Sequence, residues 1–393
     1  MSEWKKVKLG ELATKITKGT TPSNIGESFC ESGIPFIRSE LITQNKYISN
    51  EGLLYISNET HQKLKRSQLE TNDILFSMAG IYLGKTAILR DCDVPANTNQ
   101  AVALIRLDPA LCDIEFVYYY LNQESIIRYV NQISGQAAQP NINLQQIGAI
   151  PIEIPSKEDQ HHIATILSRY DTLIENYQKQ IKLLEEAAQR LYKEWFVELR
   201  FPGHENTKMV DGLPEGWERK KLGEIAPIKT GKKDANYGTV DGAYPFFTCS
   251  QEPIKAPSYS FDANAVILAG NGDFNVKLYR GKFEAYQRTY VLEPDDIALL
   301  YLLYFCISEN MNKLASGASG STIKFLTKGM IDSLEVFVPS NDIVTRFNQY
   351  EESVQSEKER IQSQIRLLTE ARDRLLPKVM DREFFNNHNI IES

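Results

Sequence analysis

The sequence predicts an α+β chain. It has two strand-rich domains separated by two long antiparallel helices of coiled-coil type, the halves related by a pseudo-two-fold repeat. Three observations predict this. The opening Trp4-Lys-Lys-Val-Lys-Leu9-Gly10-Glu11-Leu12-Ala13 returns as Trp217-Glu-Arg-Lys-Lys-Leu222-Gly223-Glu224-Ile225-Ala226. Gln180-Ile181-Lys182-Leu183-Leu184 returns as Gln364-Ile365-Arg366-Leu367-Leu368. Between strand-like regions, apolar residues keep heptad spacing over more than four heptads, a coiled-coil signature. The openings are offset by 213 residues and the helices by 184, so the second copy is shorter by 29. A unit this long is no solenoid repeat, whose period is usually ~20–50 residues. It is a duplicated domain-plus-helix module, suited to gripping two similar things at once.

Taken in order, residues 1–155 form the first domain. Ile34–Ile37, Asp73–Ser77 and Ala101–Leu107 are apolar runs bounded by Gly, Pro, Asn and Ser, hence strands. A helix is predicted over Ile114–Leu121, and Ile150–Pro155 as an edge strand closed by proline. Residues 156–201 are the first long helix, with Ser156 as N-cap and Asp159 in the first turn. Its seam is Ile163, Leu167, Tyr170, Ile174, Tyr177, Ile181, Leu184, Ala188, Leu191 and Trp195, ended by Pro202-Gly203. A linker, 203–216, opens the second domain, 202–339, which closes on Leu334–Pro339. Residues 340–380 are the second helix, with a less regular seam of Phe347, Tyr350, Val354, Ile361, Ile365, Leu368 and Leu375, weakened by Pro377. Residues 381–393 are a polar tail. Helices of about 40 residues span roughly 60 Å. Neither half buries such a stripe alone, so the helices are expected to pack on each other as a rod with a domain at each end.

Composition narrows the classes. With 42% hydrophobic and 24% charged residues the chain reads as soluble and globular. No signal-peptide core follows Met1, and the longest apolar run, Ile297–Ile307, is too short to cross a bilayer, which points to the cytoplasm. The 5 cysteines are scattered without Cys-x-x-Cys spacing, so no metal site is expected. Net charge is −7 and evenly spread: residues 1–150 hold 14 bases and 15 acids, residues 201–340 hold 15 and 17. Any nucleic-acid contact must therefore come from local clusters.

The ordered pieces resemble the specificity (S) subunit of type I restriction-modification systems over essentially the whole chain. The resemblance rests on the duplicated opening, Asp73-Ile-Leu-Phe-Ser77 with Gly80 and Gly84-Lys85-Thr86, and Asn97-Thr-Asn-Gln100. It also rests on Gln160–Leu167 and Leu184–Leu191 in the helix, and on Gly281–Tyr290 in the second half. The resemblance implies two target recognition domains, each reading half of a bipartite, asymmetric double-stranded DNA site. It implies helices that act as a spacer and dock two adenine methyltransferase (modification) subunits, with restriction subunits as further partners. No cofactor is expected in this chain. The resemblance implies S-adenosylmethionine in the methyltransferase partner, and ATP and Mg in the restriction subunit. The second copy carries Val266-Ile-Leu-Ala-Gly270-Asn-Gly272 where the first has Asp73–Ser77 and Gly80, so the domains should read different half-sites.

The candidate DNA contacts are loop residues, each with a plainer alternative. Gly84-Lys85-Thr86 lacks the first glycine of a phosphate loop, Ala79 standing there. Ser77, Gly80, Tyr82 and Lys85 then form either a plain turn or a backbone-and-lysine approach to DNA phosphate, with Asn271, Asn275 and Lys277 as the second copy's version. Asn97, Asn99 and Gln100 suit adenine, and in the matching segment Tyr286, Gln287 and Arg288 include a candidate guanine reader, Arg288; a self-bonded polar turn is the alternative. Lys18 with Thr20, and Lys229, Lys232 and Lys233, follow the opening motif and suit phosphate clamping or a solvated turn. Gln136, and Ser321 with Lys324, lie in small polar loops before the last strands. No catalytic set emerges: the Asp/Asn-Pro-Pro-Tyr/Phe motif of amino methyltransferases and a Gly-rich cofactor fingerprint are both missing from the sequence. The expected function is non-catalytic DNA recognition. The alternative is a DNA-independent coiled-coil scaffold joining two proteins.

Overall fold

The computed structural model describes residues 4–381 apart from 44, 136–139, 273 and 321–323. It divides into two compact units, Met1–Gln178 with Ser363–Ser393, and Lys179–Gln362.

In the first unit the strands are β1 (Lys5–Lys8), β2 (Ala13–Lys18), β3 (Ile34–Ile37), β4 (Leu54–Ile56), β5 (Gln68–Leu69), β6 (Ile74–Ser77), β7 (Thr86–Ile88), β8 (Ala96–Thr98), β9 (Val102–Leu107) and β10 (Pro151–Ile154). The helices are α1 (Asn58–Lys63), α2 (Ile114–Leu121), α3 (Glu124–Ile133), α4 (Leu144–Gly148) and the first part of α5 (Lys157–Tyr192). Two four-stranded sheets form, ordered β2-β9-β6-β7 and β4-β3-β8-β5. Central strands buried on both faces explain the unbroken apolar runs. Ile74 and Phe76 of β6 face the cluster with Phe116 and Val117, while Leu75 faces Ile37 and Leu104. β1 pairs antiparallel with β10, and Leu9 N donates to Ile150 O at 2.9 Å, tying the opening motif to the domain's last strand. Asp113 caps α2 by accepting from Phe116 N at 3.0 Å.

The second unit contains β11 (Met209–Val210), β12 (Leu213–Pro214), β13 (Glu218–Lys221), β14 (Ile228–Thr230), β15 (Tyr244–Phe247), β16 (Ile254–Ala256), β17 (Phe261–Ala269), β18 (Val276–Ala285), β19 (Thr289–Leu292) and β20 (Glu335–Val338). Its helices are α6 (Leu300–Glu309), α7 (Met311–Gly317), α8 (Lys328–Asp332) and the first part of α9 (Asn341–Val379). The scheme repeats. β13 pairs with β20, and Leu222 N donates to Leu334 O at 2.8 Å. Here one six-stranded sheet forms, β14-β19-β17-β18-β15-β16, because β18 is long enough to serve as both β7 and β8 of the first unit. Register locates the missing residues. Phe36 and Phe246 oppose equivalent strands at an offset of 210, Ile74 and Val266 at 192, so 18 of the 29 are lost where the first unit has α1 and β5.

The long helices pair antiparallel within each unit. In the first, Ile163, Ala164 and Leu167 share a core with Val379 and Met380, while Arg372 Nη1 meets the buried Asp171 carboxylate at 2.6 Å. Tyr119 donates its hydroxyl to the same carboxylate. In the second, Lys358 meets Glu185 at 2.7 Å and the Tyr192 ring lies 6.3 Å from Phe347. Ile163, Leu167, Ile174, Ala188, Phe347, Val354 and Ile361 are buried, and Tyr170, Tyr177, Ile181, Leu184, Leu191, Trp195, Ile365, Leu368 and Leu375 half-buried. Tyr350 departs from the expected seam: it is exposed, and Glu351 is buried in its stead. The first helix leaves α geometry after Tyr192 through a π-helical turn, Lys193–Val197, rather than running to 201. The expected linker carries the β11–β12 hairpin, whose Asp211 and Gly212 (φ +50° and +79°) are the residues a tight hairpin turn requires. Pro377 does not end α9, which runs two residues further. Among the described residues no helix is long and apolar enough to cross a membrane. The tail beyond 381 lies outside the described residues.

Candidate nucleic-acid interface

In each unit several loops meet at one edge. In the first, the turn after β2 lies on the turn after β8: Thr20 N donates to Thr98 O at 3.1 Å, and Thr21 N to Gln100 Oε1 at 3.2 Å. The approach is close enough that a Cβ at Gly19 would collide with the Thr98 carbonyl. The 78–85 loop joins through Met78 N to Ala101 O at 2.8 Å, and Gly80 N to Pro140 O at 3.1 Å brings in the segment before α4. Lys18, Thr20, Gly80, Tyr82, Lys85, Asn99 and Gln100 thus belong to one cluster of loops, with Lys85 Nζ 5.0 Å from the Tyr82 ring. The amides of Gly80 and Gly84 are bonded to Pro140 O and Ser77 O, so they do not form a phosphate-wrapping loop for nucleotide.

Two expected contacts are corrected. Asn97 is fully buried; its Nδ2 donates to Leu64 O and Ser67 Oγ, both at 3.1 Å, and Oδ1 meets His61 Nδ1. Its amide fastens the sheet to the 64–67 turn and cannot reach a base. Ser77 is also fully buried, at the end of a strand covered on both faces. Gln136 and Ser321 lie outside the described residues.

The second unit repeats the backbone. Gly231 N donates to Thr289 O at 3.1 Å, Gln287 N to Lys233 O at 2.9 Å, Gly270 N to Arg288 O at 2.8 Å and Leu326 N to Gly270 O at 2.8 Å. A Cβ at Gly231 would strike the Ala285 carbonyl, as at Gly19. Lys232, Lys233, Tyr286, Gln287, Arg288 and Lys324 gather on these loops, with Lys233 Nζ 4.3 Å from the Tyr237 ring. Arg288 is exposed beside a shallow cleft of about 320 Å³ lined also by Tyr290 and Phe325. Lys229 differs: it lies within β14 and pairs with Glu293 at 3.3 Å. Asn271, Asn275 and Lys277 bond inward, to Cys249 Sγ, to Cys249 O and to Ser250 O, and brace the 248–250 turn. All four are thus engaged by the protein, as are two residues of the first unit, where Asn99 Oδ1 accepts from Ala101 N at 3.1 Å and Gln100 Oε1 from Thr21 N, the self-bonded polar turn that was the alternative.

The two units thus carry the same backbone edge with unlike polar side chains. Residues 1–186 and 214–367 match the type I restriction modification DNA specificity domain family. The chain belongs to this family. It is a family of recognition, not of catalysis, and its two matched segments coincide with the two copies of the repeat. Over 175 residues the chain is 40% identical to the specificity subunit of the type I restriction enzyme EcoDI of Escherichia coli, covering 44% of this chain and 39% of that one. It is 25% identical to the specificity subunit of the type I restriction enzyme MjaIX of Methanocaldococcus jannaschii, over 96% of this chain and 93% of that one. The S subunit of the type I restriction-modification system of M. genitalium shares the fold, with a TM-score of 0.52 at 17% identity over 96% of each chain.

For a DNA-specificity chain, sequence reading passed over two arginines at this edge. Arg66 Nη2 donates to Thr20 Oγ1 at 2.8 Å, and Arg38 directly follows β3. The repeat gives no signal for Arg38, since Thr248 stands in its place. Reading Asn97–Gln100 against Ala285–Thr289 also needed a shift of one: Phe36 opposes Asn97 as Phe246 opposes Glu284, so Gln100 matches Gln287 and Ala101 matches Arg288.

Proposed function

We propose that this chain reads a bipartite, asymmetric DNA sequence, with the strand-rich regions 1–155 and 202–339 each taking one half, and presents it to two adenine methyltransferase subunits. The methyltransferases carry S-adenosylmethionine and do the chemistry; restriction subunits using ATP and Mg join the same assembly. The observation that carries this reading is the repeated edge with different side chains. Lys18, Thr20, Asn99 and Gln100 stand in one copy, and Lys232, Lys233, Gln287 and Arg288 in the other. Lysines there neutralise phosphate without regard to sequence, while amide and guanidinium groups discriminate base edges. The paired helices support docking of two copies of one partner, since each unit offers a similar helix pair.

The test exchanges residues 1–155 for the first domain of another family member and sequences the methylome of cells carrying the chain and its methyltransferase. One half of the methylated sequence should change and the other stay. Change in both halves, or in neither, refutes modular reading. A complex that fails to retard any duplex in a sequence-dependent way leaves the DNA-independent scaffold as the better account.

A further inference from the structure

Internal carboxylates pair with half of the eight arginines of the strand-rich regions. Arg90, Arg106, Arg128 and Arg280 each hold one within 3.5 Å. Arg219 instead lies over the Phe337 ring. Arg38, Arg66 and Arg288 have no carboxylate partner among the described residues, and all three stand at the loop edges just described.

Arg38 and Arg288 reach that edge from different loops. β3 runs parallel to β8, with Ile37 opposite Thr98, so Arg38 emerges beside Asn99. In the second unit β15 runs parallel to β18, with Phe247 opposite Ala285, which puts Thr248 in Arg38's place. Conversely, Gly270 N donates to Arg288 O as Met78 N donates to Ala101 O, so Arg288 stands where the first unit has Ala101. Arginine with alanine in one copy is answered by threonine with arginine in the other.

The setting of Arg38 separates it from a surface cation. The residue is half-buried, and its buried Nε has no hydrogen-bond partner among the described residues. Its terminal nitrogens make no hydrogen bond among the described residues and are not buried with it. With Nε buried in the protein, the guanidinium leaves its two terminal nitrogens available at the edge. That geometry suits the paired O6 and N7 acceptors of guanine, whereas a mobile lysine suffices for phosphate. Arg66, tethered to Thr20, adds the neighbouring positive charge.

We propose that Arg38 reads a guanine of the first half-site, the role Arg288 takes in the second, so that the two copies read guanine from different loops and at different steps. This rests on the DNA-recognition reading above. The test uses the chain assembled with its methyltransferase, on duplexes of its recognised sequence in which each guanine in turn is replaced by 7-deazaguanine, which lacks the N7 acceptor. One guanine in each half should show about tenfold weaker binding on replacement. Arg38→Ala should abolish that sensitivity in the first half alone, and Arg288→Ala in the second alone. Arg38→Gln, closer in size, should behave as Arg38→Ala and guards against misfolding, checked by melting. Wild-type complex that selects its sequence yet ignores 7-deazaguanine throughout the first half overturns the proposal. So does Arg38→Ala or Arg38→Gln that weakens cognate and scrambled duplexes alike. Wild-type complex that cannot tell cognate from scrambled duplex defeats the recognition reading itself, a separate outcome.

Discussion

Replacing Glu351 by glutamine should stabilise the second unit at pH 8 and leave it nearly unchanged at pH 4.5. Glu351 stands in α9 with no exposed surface, and among the described residues neither carboxylate oxygen has a well-formed hydrogen bond. Burial pushes its carboxyl up from the ordinary 4.5 to about 7; Lys358 two turns on and Gln355 one turn on offset only part of this. The folded chain therefore holds this proton more tightly than the unfolded chain does. Below pH 4.5 both states are protonated and nothing is lost. Between 4.5 and 7 only the unfolded state gives up the proton, so stability falls as pH rises, and above 7 the loss is complete. From 4.5 to about 7, at about 1.4 kcal/mol per tenfold change in proton affinity, the loss is roughly 3 kcal/mol. Glutamine keeps the shape and carries no charge. The melting temperature, followed by Trp195 and Trp217 fluorescence in this unit, should rise by about 6–12 °C at pH 8, at roughly 2–4 °C per kcal/mol for a unit of this size. An equal gap between variant and wild type at both pH values would refute the burial argument. A variant less stable at pH 8 would mean that the carboxylate is held charged by Lys358.

Ile174→Asp should cost several kcal/mol because the side chain is 6% exposed in the helix seam, whereas Leu183→Asp, 63% exposed, should cost little. Matching melting curves for the two would argue against the seam. Lys85→Ala should weaken binding evenly across duplexes and lower the salt slope by about one. Arg288→Ala should instead relax one position of one half-site, so a uniform effect in a salt series would make Arg288 a backbone contact. The purified chain, free of partner, should transfer no labelled methyl group from S-adenosylmethionine to DNA; transfer would overturn its assignment to recognition.

The parts of the fold that were legible are those fixed by burial. The heptad spacing from Ile163 to Trp195 marked the face that is buried or half-buried, and Ile114–Leu121 read as a helix from Phe116, Val117, Tyr120 and Leu121 on one face, although Tyr118 and Tyr119 are buried as well. Strand β1 was not legible, although its partner β10 lies within the edge strand expected over Ile150–Pro155. Lys-Lys-Val-Lys has neither strand alternation nor an apolar face, since most of it is exposed, and only Trp4, Leu9 and Leu12 around it enter the core. Tyr350 was misplaced because heptad counting prefers an aromatic to a carboxylate, yet the helix turns Glu351 inward, where burial pushes its carboxyl up.

At the interface the limit was different in kind. Asn97 and Asn99 are two residues apart in one polar run, but β8 is hydrogen-bonded between β3 and β5, so Asn97 serves the sheet while Asn99 lies beyond its end. The second copy makes the same use of that register: Glu284 is fully buried and accepts from Ser260 at 2.7 Å. A polar residue there answers to the fold, and its chemistry says nothing about DNA. Repetition marks what the fold needs, such as Gly19 and Gly231, whose missing Cβ lets two turns touch. Residues that differ between copies on that shared backbone are the ones free to answer to something outside it. Arg38 escaped notice for that reason, since Thr248 opposite it breaks the repeat. Moving one arginine between neighbouring loops keeps an arginine at the edge and changes only the strand end that carries it, which a duplicated backbone permits without altering the fold.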